Sequence, residues 1–277
     1  VSGLSADAIA AHLSTRAYGR SLEVKGETGS TNDDAREAAL RGAPRGHVVV
    51  ADAQHRGRGA HGRTWSSPQG KDLYVSIVER LEVEPQRIAP LTLAVGLGVA
   101  EAAEAIAPPL SARVKWPNDV WSGRRKIAGV LVEASSIGSR IEALVIGIGL
   151  NVNRSAFEGK LAENASSLLL ELRRVRPDAA PIDRERALAE LLVRVERWVD
   201  RFVAEGTAPI VEALEERLAL RGEAVRCDEV EGVLLGIAPS GAATIATANG
   251  VREFVAGTMR PRSVAEYDSE TRNDSDR

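Results

Sequence analysis

The chain has 277 residues, 44% of them hydrophobic, enough to fill one large core or two modest ones. Its 36 basic and 39 acidic residues are interspersed along the chain and leave a formal charge of -3, which excludes a domain-wide basic field for nucleic acid or anionic lipid. The single cysteine, Cys227, excludes an internal disulfide and a multi-thiolate zinc site, and it points to a reducing, cytoplasmic compartment.

The opening VSGLSADAIAAHL has neither the basic head nor the continuous apolar body of a signal peptide and reads as a helix capped by Ser5. Leu22 and Val24 alternate as in a strand, and Ser30-Thr31-Asn32-Asp33 supplies cap-type residues ahead of the helical AREAALR. His47 to Ala53 reads as a buried strand, and Gln54 to Gly70 as a loop rich in Gly, Arg, Ser and Pro, long for an idle connector. A strand at 73–81, a helix from about Ile88 to Ala107 and a strand at 112–116 follow. The longest apolar stretch, Leu91 to Ala107, is interrupted by Gly96, Gly98, Glu101 and Glu104, which predicts a soluble helix and no membrane span.

KIAGVLVEASS at 126–136 and EALVIGIGLNV at 142–152, joined by Ile137-Gly138-Ser139-Arg140, predict a hairpin and hence an antiparallel or mixed sheet. From Asp183 onward Leu188, Leu191, Leu192, Val195, Trp198, Val199 and Phe202 recur at helical spacing and form a core stripe. Beyond about Leu220 the texture changes to short strands separated by turn signals at Pro239-Ser240-Gly241 and Asn249-Gly250, a small all-β module. The last stretch, SVAEYDSETRNDSDR, is polar and reads as a disordered tail.

Four clusters carry chemistry. Gly57-Arg58-Gly59-Ala60-His61-Gly62-Arg63-Thr64-Trp65 combines glycines, which let backbone amides approach an anion, with guanidinium groups suited to carboxylate or phosphate. Taken alone it reads more readily as a mobile surface loop or a weak RNA-binding segment than as a ligand loop. Lys115-Trp116-Pro117-Asn118-Asp119 sets a lysine at a strand end before a proline turn, with Lys126 seven residues beyond Asp119. Alone, Pro-Asn-Asp is an ordinary turn. Ser30-Thr31-Asn32 either caps its helix or offers donors to a polar ligand head, or both. Gly147-Ile148-Gly149-Leu150-Asn151 either turns the chain or admits a flat ligand with Asn151 as polar anchor; it lacks the third glycine and the helix of a dinucleotide fingerprint.

In their order along the chain, STN at 30, Gln54, GRG at 57, GR.W at 62–65, KWPND at 115, K.AG..VE at 126–133 and G.G.N at 147 resemble the biotin-protein ligases. The resemblance implies an α+β fold. Residues 1–218 would be a mixed-sheet catalytic domain of the class II synthetase and biotin-lipoate ligase type, and 219–262 a small SH3-like β-barrel, followed by the tail at 263–277. It implies ATP and Mg2+, biotin as substrate, and a biotin carboxyl carrier domain as the partner whose lysine accepts the biotin. No nucleic acid or membrane partner is expected; members of the family often pair through sheet edges as a homodimer, and the sequence leaves the oligomeric state open. By similarity Ser30, Thr31, Asn32, Gln54, Gly57, Arg58, Gly59, Ala60, Trp65, Lys126 and Gly129 would bind biotin, with Trp65 over its chain. Arg58, Arg63, Lys115, Asn118, Asp119, Gly149 and Asn151 would contact ATP or the adenylate. Lys126, Arg58, Lys115 and Asp119 would carry the chemistry, Asp119 also being placed for a metal or for the incoming amine.

Two departures stand out. Ala60 occupies a position where well-known family members carry another arginine, as in a GRGRxGR loop, which leaves His61 and Arg63 as the remaining loop candidates. Only 29 residues precede Ser30, too few for a winged-helix domain, so a ligase without repressor function is the expectation. The alternatives are a lipoate or octanoate ligase or transferase of the same fold, which the Trp65 loop argues against, and a non-catalytic biotin-sensing protein, which would not need Lys126.

Overall fold

A computed structural model describes residues 3–81, 88–137, 140–159 and 161–262. Seven strands form the main sheet: β1 (Leu22–Lys25), β2 (Val48–Ala51), β3 (Leu73–Glu79), β4 (Ala112–Lys115), β5 (Asp119–Ser122), β6 (Arg125–Ile137) and β7 (Arg140–Leu150). Their spatial order is β1-β2-β3-β7-β6-β5-β4, and every pair is antiparallel except β1 with β2. The expected hairpin is the β6–β7 pair; turn residues 138 and 139 lie outside the described residues. The expected strand at 112–116 ends at Lys115, and β5, immediately after the Pro117 turn, goes beyond the sequence reading.

Alternation along the strands sends side chains to two different layers. Val48, Val50, Val75, Ile77, Ile146 and Ile148 join the large core with α1 (Ala6–His12), α3 (Ile88–Ile106) and α6 (Arg184–Glu205). All seven residues of the expected α6 stripe are buried, each apolar side chain contributing about 1.5–3 kcal/mol relative to exposure. Helix α3 is apolar and long enough to cross a membrane by composition alone, and here it packs against α6 and β4 as a core helix. The opposite face carries α2 (Thr31–Leu40), whose Ala35 and Ala39 pack on Val49, Val78 and Val145. α2 covers only part of that face, and the cleft described below opens at its N-terminal end.

Ser5 caps α1 as expected, its Oγ accepting from Ala8 N at 3.4 Å. Three further helices, α4 (Leu161–Asn164), α5 (Leu168–Val175) and α7 (Ala208–Arg217), go beyond the sequence reading, although the Ser167 cap and the buried Leu168, Leu169 and Leu172 mark α5. The C-terminal strands β8 (Ala224–Cys227), β9 (Val230–Ile237), β10 (Ala243–Thr247), β11 (Gly250–Phe254) and β12 (Met259–Pro261) form an antiparallel sheet in the order β11-β10-β9-β8-β12. Among the described residues no pairing joins β11 to β12, so the structure shows a five-stranded sheet where a barrel is expected. This sheet is docked on the main one: Trp116 Nε1 donates to the Gly241 carbonyl at 3.1 Å, and Ala219 N to that of Val114 at 2.8 Å. The tail from 263 onward lies outside the described residues.

Candidate active site

Strand register assembles the site. Reading across the sheet, Tyr74 of β3 pairs with Gly149 of β7, Gly149 with Gly129 of β6, Gly129 with Asp119 of β5, and Asp119 with Lys115 of β4. One row of a seven-stranded sheet thus brings together residues from two of the four sequence clusters. The parallel row two residues along contains Ser76, Gly147 and Leu131, and the next contains Val78, Val145 and Glu133. The three rows share a face because side chains in a strand repeat every second residue.

The cleft on this face is narrow, with about 40 Å³ of cavity beneath an opening to solvent. Its polar end is the start of α2. Ser30 holds the N-cap position but makes no side-chain capping bond, and it lines the cleft. The orphan amide of Thr31 is satisfied by Gln54 Oε1 at 2.9 Å, which also accepts from Thr31 Oγ1 at 3.2 Å. Ser76 Oγ lies 2.8 Å from Thr31 Oγ1 and 2.5 Å from Asn32 Oδ1, and a Cβ at Gly147 would overlap the Asn32 amide. Asn32 Nδ2 donates to Glu133 at 2.7 Å. These groups form a compact donor-acceptor set at a helix N-terminus.

The Gly-Arg loop folds over the cleft as a lid. Gly57 and Trp65 close it, Trp65 N donating to the Gly57 carbonyl at 2.9 Å, and Gly59 N donates to the Arg63 carbonyl at 2.7 Å. Between them Ala60–Gly62 makes a 3-10 turn with His61 at φ 58. The Trp65 ring lies over the paired glycines: a Cβ at Gly129 would meet it at 2.9 Å, and one at Gly149 would overlap it. Lys126 Nζ stands 5.0 Å from the ring centroid and 2.5 Å from Asp119 Oδ1. Lys115 Nζ lies 3.6 Å from Asp119 Oδ2. Burial depresses the Lys115 pKa below the usual lysine value, Asp119 opposing and Lys126 and Arg63 reinforcing that shift.

Residues 27–151 match the biotin/lipoate A/B protein ligase family. Over 258 residues the chain is 31% identical to the bifunctional ligase/repressor BirA of Bacillus spizizenii, a match covering 91% of this chain and 77% of that protein. The chain belongs to the biotin/lipoate A/B protein ligase family. It is also 36% identical over 183 residues to a biotin-[acetyl-CoA-carboxylase] ligase of Mycobacterium tuberculosis, covering 65% of each. Its fold is that of a biotin protein ligase from Aquifex aeolicus in complex with biotin and ATP, with a TM-score of 0.75, 28% identity, and coverage of 88% of this chain and 100% of that one.

Set against the ligase-family pattern, Ser30, Thr31, Asn32, Gln54, Arg58, Gly59, Ala60, Trp65, Asn118, Lys126, Gly129 and Gly149 all line the cleft. Gly57 lies behind the lid, where a Cβ would meet the Trp65 carbonyl at 2.6 Å, so it serves the lid's closure. Lys115 and Asp119 sit at the end of the register row and reach the cleft through Lys126. Arg63 is exposed, with Nε 3.2 Å from the Ala60 carbonyl. Asn151 is buried and its Nδ2 donates to the Ser166 carbonyl at 2.9 Å, which pins the segment ahead of α5. Asn118 Nδ2 likewise donates to the Val130 carbonyl at 2.8 Å.

Arg58 lines the cleft while its guanidinium is engaged by two carboxylates. Its Nη1 donates to Asp33 Oδ1 at 2.7 Å and its Nη2 to Glu133 Oε2 at 2.9 Å. Burial works against its charge, but these two carboxylates outweigh it and raise the guanidinium pKa above the usual arginine value. Sequence reasoning did not single out Tyr74, Ser76, Asp33 or Glu133. Ser76, a polar residue inside the apolar run LYVSIV, is the signal that would have found one of them.

Proposed function

We propose that this chain is a biotin-protein ligase: it joins biotin to ATP, giving biotinyl-5'-adenylate and pyrophosphate, and then passes the biotinyl group to a lysine of a biotin carboxyl carrier domain. One observation carries the reading. A polar head site at the mouth of α2, a tryptophan seated on paired glycines, and Lys126 against that tryptophan line a single cleft.

In the first step a carboxylate oxygen of biotin attacks the α-phosphorus of ATP and pyrophosphate leaves. Two like unit charges at 4 Å repel by about 1 kcal/mol in water and about 4 kcal/mol at an effective dielectric of 20, so the reacting ends need cations. Lys126 is the ammonium placed in the cleft, with Lys115 behind it and Asp119 between the two. Ser30, Thr31, Asn32 and Gln54 offer the hydroxyl, amide and carbonyl groups that suit the ureido ring, and Trp65 covers the chain. In the second step the carrier lysine amine attacks the acyl carbonyl of the mixed anhydride, AMP leaves and an amide forms. The lid keeps water from the anhydride meanwhile.

Mg2+ has no protein cage here: among the described residues no group of three or more His, Cys, Asp or Glu side chains converges, and the Asp119 carboxylate already serves two ammoniums. A divalent ion would be held chiefly by the nucleotide's phosphates. A catalytic unit at 1–218 with a C-terminal module at 219–262, a cytoplasmic site of action and pairing of two copies along open sheet edges complete the proposal.

Pyrophosphate exchange into ATP tests it. Exchange is expected with biotin and not with lipoate, and Lys126→Ala should lower it by about 100-fold or more, the scale of losing a charge-stabilising donor. Exchange with lipoate alone would overturn the reading, and normal exchange by Lys126→Ala would remove that lysine from the chemistry.

A further inference from the structure

The lid is fastened at a point that adenylation itself does not use. Arg58 reaches out of the lid to two different elements, Asp33 in the first turn of α2 and Glu133 on β6. Both carboxylates also carry Arg36, whose Nη1 lies 2.9 Å from Asp33 and whose Nη2 lies 3.4 Å from Glu133. The four groups balance to zero net charge, so nothing in the cluster calls for an additional anion. Glu133 has a further duty: it accepts from Asn32 Nδ2 at 2.7 Å and so fixes which way that amide faces in the cleft.

We propose that Asp33 and Glu133 are positioning residues that form a latch for the lid, holding the Arg58 guanidinium over the cleft mouth and, through Glu133, orienting the Asn32 amide. The inference rests on the cleft being the biotin site. The lid is then closed by the protein's own carboxylates and not by the ligand's anionic end. Release of biotin requires both ion pairs of Arg58 to open, and the latch is sensitive to ionic strength because its members are partly exposed. It also explains why Lys126 and Lys115, and not Arg58, are left to meet the reacting anions.

The test uses the full chain with Asp33→Asn, Glu133→Gln and the double variant. These neutral isosteres remove charge, while the amide oxygen introduced by Glu133→Gln still accepts from Asn32. Amide hydrogen exchange across residues 56–64 is measured without ligand, and biotin dissociation, KM and kcat are measured separately. The double variant should exchange faster in the lid and release biotin about three- to tenfold faster, the scale of two partly exposed ion pairs. KM should rise more than kcat falls, and added salt should speed release from the wild type but not from the double variant. Glu133→Ala should be worse than Glu133→Gln because it also frees Asn32. Unchanged lid exchange and unchanged release in the double variant, with biotin binding intact in the wild type, would overturn the latch. If the wild type fails to bind biotin, the functional reading fails, and lid exchange alone decides the latch.

Discussion

The Trp65 indole occupies the volume that a side chain at Gly149 would fill. With Gly129 paired beside Gly149, the two glycines make a floor of bare backbone on which the ring rests. Gly149→Ala should therefore expel the ring from the cleft. Overpacking of this kind typically costs about 1–3 kcal/mol, and a displaced Trp65 should weaken biotin binding about tenfold or more. Tryptophan emission compared against Trp65→Phe would show the ring moving into water. Biotin affinity in Gly149→Ala equal to the wild type would show that the ring does not depend on this floor.

Much of the site is legible in the sequence because its parts are local. Ser30 to Asn32 at a helix start, the glycines of the lid and the proline turn before Asn118 each announce themselves within a few residues. The register row from Tyr74 through Gly149 and Gly129 to Asp119 and Lys115 does not, since pairing across five strands depends on contacts far apart in the chain. Asp33 and Glu133 are hidden for the same reason. In sequence, one is a helix-start acid and the other ends a strand motif, and only the fold sets Arg58 between them. Asn151 reads as a ligand anchor because its neighbours are glycines, and the bond from its Nδ2 to the Ser166 carbonyl is not legible from that pattern.

Asp72 and Arg154 form a buried ion pair that fixes the far end of the lid. Asp72 Oδ2 lies 2.5 Å from Arg154 Nε, and the guanidinium also donates to the Ser66 carbonyl and, at 3.2 Å, to Ser66 Oγ. Burial raises the Asp72 pKa above the usual carboxylate value against the pull of Arg154. Arg154→Met leaves that carboxylate without its cation, which should cost about 3–5 kcal/mol in urea unfolding at neutral pH. A carboxyl with a raised folded pKa stabilises most when protonated, and that contribution is lost as pH rises through the folded pKa. The deficit of Arg154→Met should therefore shrink in acid. A deficit that is small at neutral pH, or constant with pH, would show that the pair does not anchor the fold.

Asp33 gives the opposite sign. Desolvation works to raise its pKa, but the hydrogen bond from Arg58 and the charges of Arg58 and Arg36 bring it below the ordinary 3.8. Its contribution to stability is present above that value and is lost as pH falls through the lower folded pKa. The wild type should be more stable than Asp33→Asn at neutral pH, and the two unfolding midpoints should converge as the pH drops below 3.8. Midpoints that differ by the same amount throughout acid titration would assign the effect of the substitution to something other than this carboxylate's charge.

Ala60 lines the cleft at the tip of the lid, where the family's better-known loops carry a further arginine. Nothing in the lid replaces that charge inside the cleft. Arg63 is exposed and folds back on the Ala60 carbonyl at 3.2 Å, His61 is exposed, and Arg58 is engaged by Asp33 and Glu133. On the proposed function, this leaves Lys126 and the lid's closure to hold the adenylate. Ala60→Arg should add a guanidinium at the mouth and slow release of the intermediate, measured with no carrier domain present, by about two- to fivefold, the scale of one partly exposed charge. Because the substituted residue faces the ligand and not the latch, lid hydrogen exchange without ligand should stay at the wild-type rate. An unchanged release rate would show that lid closure alone retains the adenylate and that the missing arginine has no kinetic consequence in this chain.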